Sequence, residues 1–160
     1  MKINPQTKER LQFLSRVVAR ECAHLEKTTQ RLFATPLTLE RLQTIETDDE
    51  FSERVEAFAS RFSRLQDTLG DKLLPQLLSV LGEKPSTAID NLDKAEKLGW
   101  LNSSDEWMTI RQLRNQMVYD YIEDLTVLQT ALQTAQLAVP MLLKTTQNLL
   151  QELQKRNILK

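Results

Sequence analysis

From Phe51 to Val80 the chain reads FSERVEAFASRFSRLQDTLGDKLLPQLLSV. Its apolar residues fall at Phe51, Val55, Phe58, Phe62, Leu65, Leu69, Leu73, Leu77 and Val80, in steps of three and four. That spacing lines one side of an α-helix and suits a helix packed on a core. A strand would alternate apolar and polar residues, and no such alternation of any length appears in the 160 residues. Thr47 or Asp48 stands where a cap is needed, while Gly70 and Pro75 predict a bend in the second half.

The same reading extends outward. Leu11, Val18, Leu25 and Leu32 recur every seven positions, with Leu14 and Cys22 filling the stripe. Asn4 followed by Pro5 is a cap and first-turn pair, and Pro36 in ATPLT ends that helix near Phe33. A short helix is expected from Leu39 to Ile45. Beyond GEKPST, Thr87 with Asp90 forms a capping box for a helix closing at Gly99, and Ser103 with Glu106 forms another. The last stripe runs Leu125, Leu128, Leu132, Ala135, Val139, Leu142, Leu149 and Leu153, with Thr146 as a gap. Pro140 lies inside it, so one kinked helix and two stacked helices both fit. The expected fold is all-α: one domain over 1–160, an antiparallel up-and-down bundle of four to five helices.

Composition narrows the function. With 21 basic and 22 acidic residues the net charge is -1, so no global field draws the chain to nucleic acid, although a local patch could still bind RNA. Cys22 is the only cysteine, which excludes an internal disulfide and a CxxC metal site. The opening MKINPQTKERLQFLSRVV lacks the layout of a signal peptide, and AQLAVPMLL is too short to span a bilayer. The expected setting is soluble, reducing and cytoplasmic, away from membranes. No HExxH, no Glu-x-x-His pairing and no glycine-rich phosphate loop occurs, so neither a metal nor a cofactor is expected.

One stretch breaks the leucine monotony: SSDEWMTIRQLRNQMVYDYIED, Ser103 to Asp124. Extending the last stripe backward through it gives Tyr121, Val118, Arg114, Ile110 and Trp107 as an inward face. An arginine on that face must be paired, snorkelling, or set at a cleft or interface. Asp120, Glu123 and Asp124 supply carboxylates nearby. Trp107 is expected as a core or interface anchor.

The residues Arg114, Asn115, Tyr119 and Tyr121 in RNQMVYDY resemble the R-N-x-x-x-H-x-Y motif of HEPN domains, in the HepT-like branch of nucleotidyltransferase substrate-binding proteins. RFSRLQDTLGDKLLPQLL resembles that family's long second helix, and AIDNLDKAEKLGWLNSSDEWMTIRQLRNQMVYDY its helix, short loop and motif helix. The likeness spans roughly Glu50 to Asp124. It implies a homodimeric helical bundle whose motif helices face each other, with RNA or a nucleotide at the dimer cleft. In active members the arginine and histidine form a metal-independent ribonuclease site, using a ribose 2′-hydroxyl as nucleophile. A minimal nucleotidyltransferase is the implied partner in a toxin–antitoxin-type pair, and the motif's last tyrosine, Tyr121 here, the residue it adenylylates.

Tyr119 occupies the histidine position. Phenols ionise near pH ~10 in general, so tyrosine is a poor general base at neutral pH. Five residues from Arg114, it lies about 140° around an ideal helix. The only histidine, His24, is on the first helix. The expected site is therefore Arg114 and Tyr119 as the catalytic pair, Tyr121 for modification, and Asn115, Arg111 and Trp107 in support. The expected function is partner binding with weak or no ribonuclease activity. Its competitors are a ribonuclease in which Tyr119 or a water replaces histidine, and a helical adaptor that kept the fold and lost the site.

Overall fold

The computed structural model describes residues 3–120 and 123–159, and every described regular element is helical. Helix α1 spans Pro5–Leu32, with the Asn4 side chain accepting from the Gln6 N–H. Helix α2, Leu39–Leu42, runs into a 3₁₀ turn at Gln43–Glu46. Asp48 caps α3, Asp49–Asp67, by accepting from the Phe51 N–H. A π-helical segment, Thr68–Leu73, joins α3 to α4, Leu74–Val80. This wider turn is the form that the irregularity expected at Gly70 and Pro75 takes. Pro75 can occupy the first turn of α4 because α4 opens on the π segment.

Thr87 caps α5, Ala88–Lys97, which ends in a Schellman turn: Gly99 has φ 79° and the Trp100 N–H reaches the Ala95 carbonyl at 3.0 Å. Ser103 caps α6, Ser104–Arg111, and α7 follows as Leu113–Val118. Asp124 then caps α8, Leu125–Lys155, a single helix that carries Pro140 in its interior on the solvent side. Of the two forms that fit the sequence, the continuous helix is the one adopted.

Helices α1 and α3 run antiparallel, since Arg61 on α3 bonds to Thr28 and to the His24 carbonyl while Glu21 lies by Thr68. Helices α1 and α8 are antiparallel too: Gln12 donates to the Ile158 carbonyl at 3.0 Å and Cys22 meets Thr146 at 3.5 Å. The expected stripes form one core, in which Leu11, Val18, Leu25, Phe58, Leu65, Leu77, Leu128 and Leu142 are fully buried. Among the described residues, no helix is long and apolar enough to cross a membrane.

The structure departs from the sequence reading between Trp107 and Leu125. The chain breaks helical continuity at Gln112, where bonds spanning three residues, from Gln112 N–H to the Thr109 carbonyl and from Asn115 N–H to the Gln112 carbonyl, tighten the turn. The buried residues there are Trp107, Ile110, Leu113 and Met117, whereas Val118 is 39 % exposed. The expected inward Arg114 is therefore corrected to an outward one, with 57 % of its side chain exposed. Burying Leu113 and Met117 removes apolar surface from water without stranding a guanidinium, so this register is favoured.

Candidate functional site

The π segment and the α6–α7 joint meet edge to edge. Asp67 and Asp71 are four residues apart on α3 and its π extension, and Arg111 and Arg114 are three apart on the opposing elements. Packed antiparallel, they pair in reverse order. Arg111 grips Asp71 with two bonds, Nη1–Oδ1 3.1 Å and Nη2–Oδ2 2.9 Å, and Arg114 Nη1 donates to Asp67 Oδ2 at 2.9 Å. Both pairs are partly exposed, so each contributes only about 0.2–1 kcal/mol. Their role is to set the position of two guanidinium groups more than to hold the fold.

Arg114 also forms the rim of a groove of about 370 Å³ between α3 and α7. Val55 and Ala59 make its apolar floor, Met117 and Val118 one wall, and Arg64 and Asp67 the end nearest Arg114. The Ser63 hydroxyl lines it too, buried and without a hydrogen-bond partner. On the other side of Arg114 a shallower hollow of about 280 Å³ holds Arg111 and Asn115. Arg114 thus lines both depressions while its guanidinium is paired with Asp67.

Asn115 is exposed, and its carbonyl accepts the Tyr119 N–H at 2.9 Å. Tyr119 caps α7 with φ −120° and is 65 % exposed. Its side chain therefore stands at the surface, outside the groove lining. Tyr121 lies outside the described residues. Trp107 is 1 % exposed, a core anchor under the site, and its carbonyl accepts from Gln66 at 2.9 Å. His24 is exposed on α1 and does not line the groove. Asp124, expected near Arg114, is occupied in capping α8. Among the described residues no group of three His, Cys, Asp or Glu side chains could hold a metal ion.

Sequence reasoning missed Asp67 and Asp71 because it looked for carboxylates adjacent in sequence. The available signal was the match between a four-residue acidic step and a three-residue basic step on antiparallel helices. It also missed Glu21. Both carboxylate oxygens of Glu21 are buried without a hydrogen-bond partner, because the Thr68 hydroxyl beside them donates to the Arg64 carbonyl at 2.9 Å. Burial raises its pKa above the ordinary 4.5, against the pull of Thr68, Arg64 and Lys72 and with a smaller push from Asp67. The folded protein holds this proton more tightly than the unfolded chain does. Its contribution to stability is complete below 4.5 and disappears as pH rises through the folded-state value. Glu21→Gln is therefore expected to remove the part of any fall in Tm above about pH 4.5 that Glu21 contributes. An identical pH profile in thermal melts of the two proteins would count against that assignment.

No family model, no curated protein and no solved structure matches this chain.

Proposed function

We propose that this chain is a HepT-like HEPN protein: a cytoplasmic homodimer that acts by binding a minimal nucleotidyltransferase, with a ribonuclease site that is weak or silent. The observation that carries this reading is the placement of the motif residues. Arg114 and Asn115 are both exposed, beside a groove, with a second guanidinium from Arg111 next to them. Such a surface suits a phosphate, which would compete with Asp67 for the Arg114 fork. A phenol, Tyr119, stands at the histidine position, and phenols are in general poor general bases. This combination favours binding over cleavage.

The test is to mix the protein with its cognate minimal nucleotidyltransferase and ATP. A stable complex is expected, with one adenylate mass on the peptide carrying Tyr121. Arg114→Ala is expected to weaken nucleotide binding by roughly 10- to 100-fold, the value of a charge-assisted hydrogen bond or two. Absence of both complex and mass shift would overturn the proposal. A second reading, an adaptor without a working site, draws on the fact that Arg111 and Arg114 are already paired with carboxylates. It requires that Arg114→Ala leave partner and nucleotide binding unchanged.

A further inference from the structure

Helix α1 buries one face and leaves the other to water, and the two differ sharply in chemistry. Its core side is Leu11, Leu14, Val18, Leu25 and Leu32, all at most 2 % exposed. Around the opposite side run Phe13, Arg16, Arg20, His24, Lys27 and Arg31, every one exposed. At 3.6 residues per turn these six fall within an arc of about 80°, forming a straight stripe about 27 Å long. Arg10 extends it, with its guanidinium 5.4 Å over the Phe13 ring. Helix α1 holds six Lys and Arg against three Glu, in a chain whose net charge is -1, so the positive charge is segregated here.

The stripe is also unspent. Among the described residues, Arg10, Arg16, Arg20, Lys27 and Arg31 take part in no ion pair. Of the acidic residues on α1, Glu9 stands one turn before Phe13, in line with the N-terminal end of the stripe, while Glu26 lies outside its arc and the Glu21 carboxylate is buried. From α3, Arg61 leans over the edge of α1 to bond Thr28 and the His24 carbonyl. A hollow between the helices near Arg31 adds Arg54 together with Glu50 and Glu53, and Arg54 is engaged by Glu50 at 3.9 Å.

We infer that this face of α1 is a binding track for the phosphodiester backbone of a nucleic acid. Three observations favour that occupant over other polyanions. Arginine outnumbers lysine, and its planar fork matches phosphate oxygens in pairs. The stripe is linear and carries one exposed aromatic ring, Phe13, on which a base can stack. A protein partner would need an apolar centre depleted of charge, and a membrane would need the apolar face of the helix, which is committed to the core. The inference stands on charge placement alone and is independent of the motif at Arg114.

The full chain is titrated into a fluorescein-labelled RNA of about 16 nucleotides, and into DNA of the same sequence, from about 50 to 200 mM salt. Four phosphates neutralised on a single strand give a log–log salt slope of about −3. Arg16→Glu with Arg20→Glu is expected to weaken binding at least tenfold and to make the slope shallower by about 1.4. Lys84→Glu with Lys144→Glu, exposed positions elsewhere with the same change in net charge, is expected to leave affinity within about twofold if the stripe is what binds. Circular dichroism confirms that both variants are folded. Four results would each overturn the inference: no oligonucleotide binding, equal losses in the two variants, no loss in the stripe variant, or binding only to phosphatidylserine vesicles.

Discussion

Trp107→Ala is expected to remove about 3–5 kcal/mol of unfolding free energy, the largest stability loss of any residue near the site. The indole is the largest of the fully buried side chains, 1 % exposed. It packs where the π segment passes closest to α6: a methyl group placed on Gly70 would come within 3.2 Å of the ring nitrogen and 3.5 Å of Cζ2. The surrounding void, lined by Leu69, Leu74, Leu92, Trp100 and Leu149, is only about 10 Å³, so there is no slack to absorb the missing ring. A cavity must open or the elements must slide, and both cost free energy. For a domain of this size the melting temperature should fall by about 10 °C. Denaturant titration measures the loss directly, and a loss below about 1 kcal/mol would mean that α6 can detach without consequence. Because Arg111 follows Trp107 on the same short helix, the variant should also loosen the Arg111–Asp71 pair.

Much of this architecture was legible residue by residue. Asn4, Asp48, Thr87 and Ser103 each accept the backbone N–H that a cap must satisfy. Gly99 ends α5 with the positive φ that only a residue without Cβ adopts at no cost. The stripe from Phe51 to Leu77 is buried throughout. These features are local, fixed by steric and hydrogen-bond demands within a few residues. The failure came where phase was carried across a break. The α8 stripe was extended backward through Tyr119–Asp124, where α8 has ended in an Asp124 cap, and it arrived at Arg114 half a face out of register. A competing apolar pair, Leu113 and Met117, was present in the sequence and buries instead. The Arg114–Asp67 pair spans 47 positions, and no local rule reaches that far. Gly70 and Pro75 marked the place of the π turn, but the packing of Trp107 against Gly70 links positions 37 apart and no local rule reaches it.

Under the proposed reading, Tyr119→His should create ribonuclease activity, raising the rate of RNA cleavage by about 10²-fold or more over the wild-type chain. The substitution completes the R-N-x-x-x-H-x-Y pattern at the one position where this sequence departs from it. Imidazole changes charge near neutral pH, so it can accept the proton of a ribose 2′-hydroxyl and return one to the leaving oxygen. The position is permissive: Tyr119 is 65 % exposed, so the ring can be exchanged without leaving a cavity in the core. It is also not bound by the 140° separation of an ideal helix. Helix α7 ends at Val118, and the backbone at Tyr119 turns to φ −120° and ψ −49°. Arg114 must take part in any activity gained, releasing Asp67 to hold the phosphate. Arg114→Ala in the Tyr119→His background should therefore return cleavage to the wild-type level, while Arg156→Ala, whose side chain pairs with Glu152 at the far end of α8, should not. Single-turnover cleavage of a labelled RNA by the wild-type chain and these three variants decides the matter. A folded Tyr119→His protein that cleaves no faster than wild type would show that the missing imidazole is not what silences this surface.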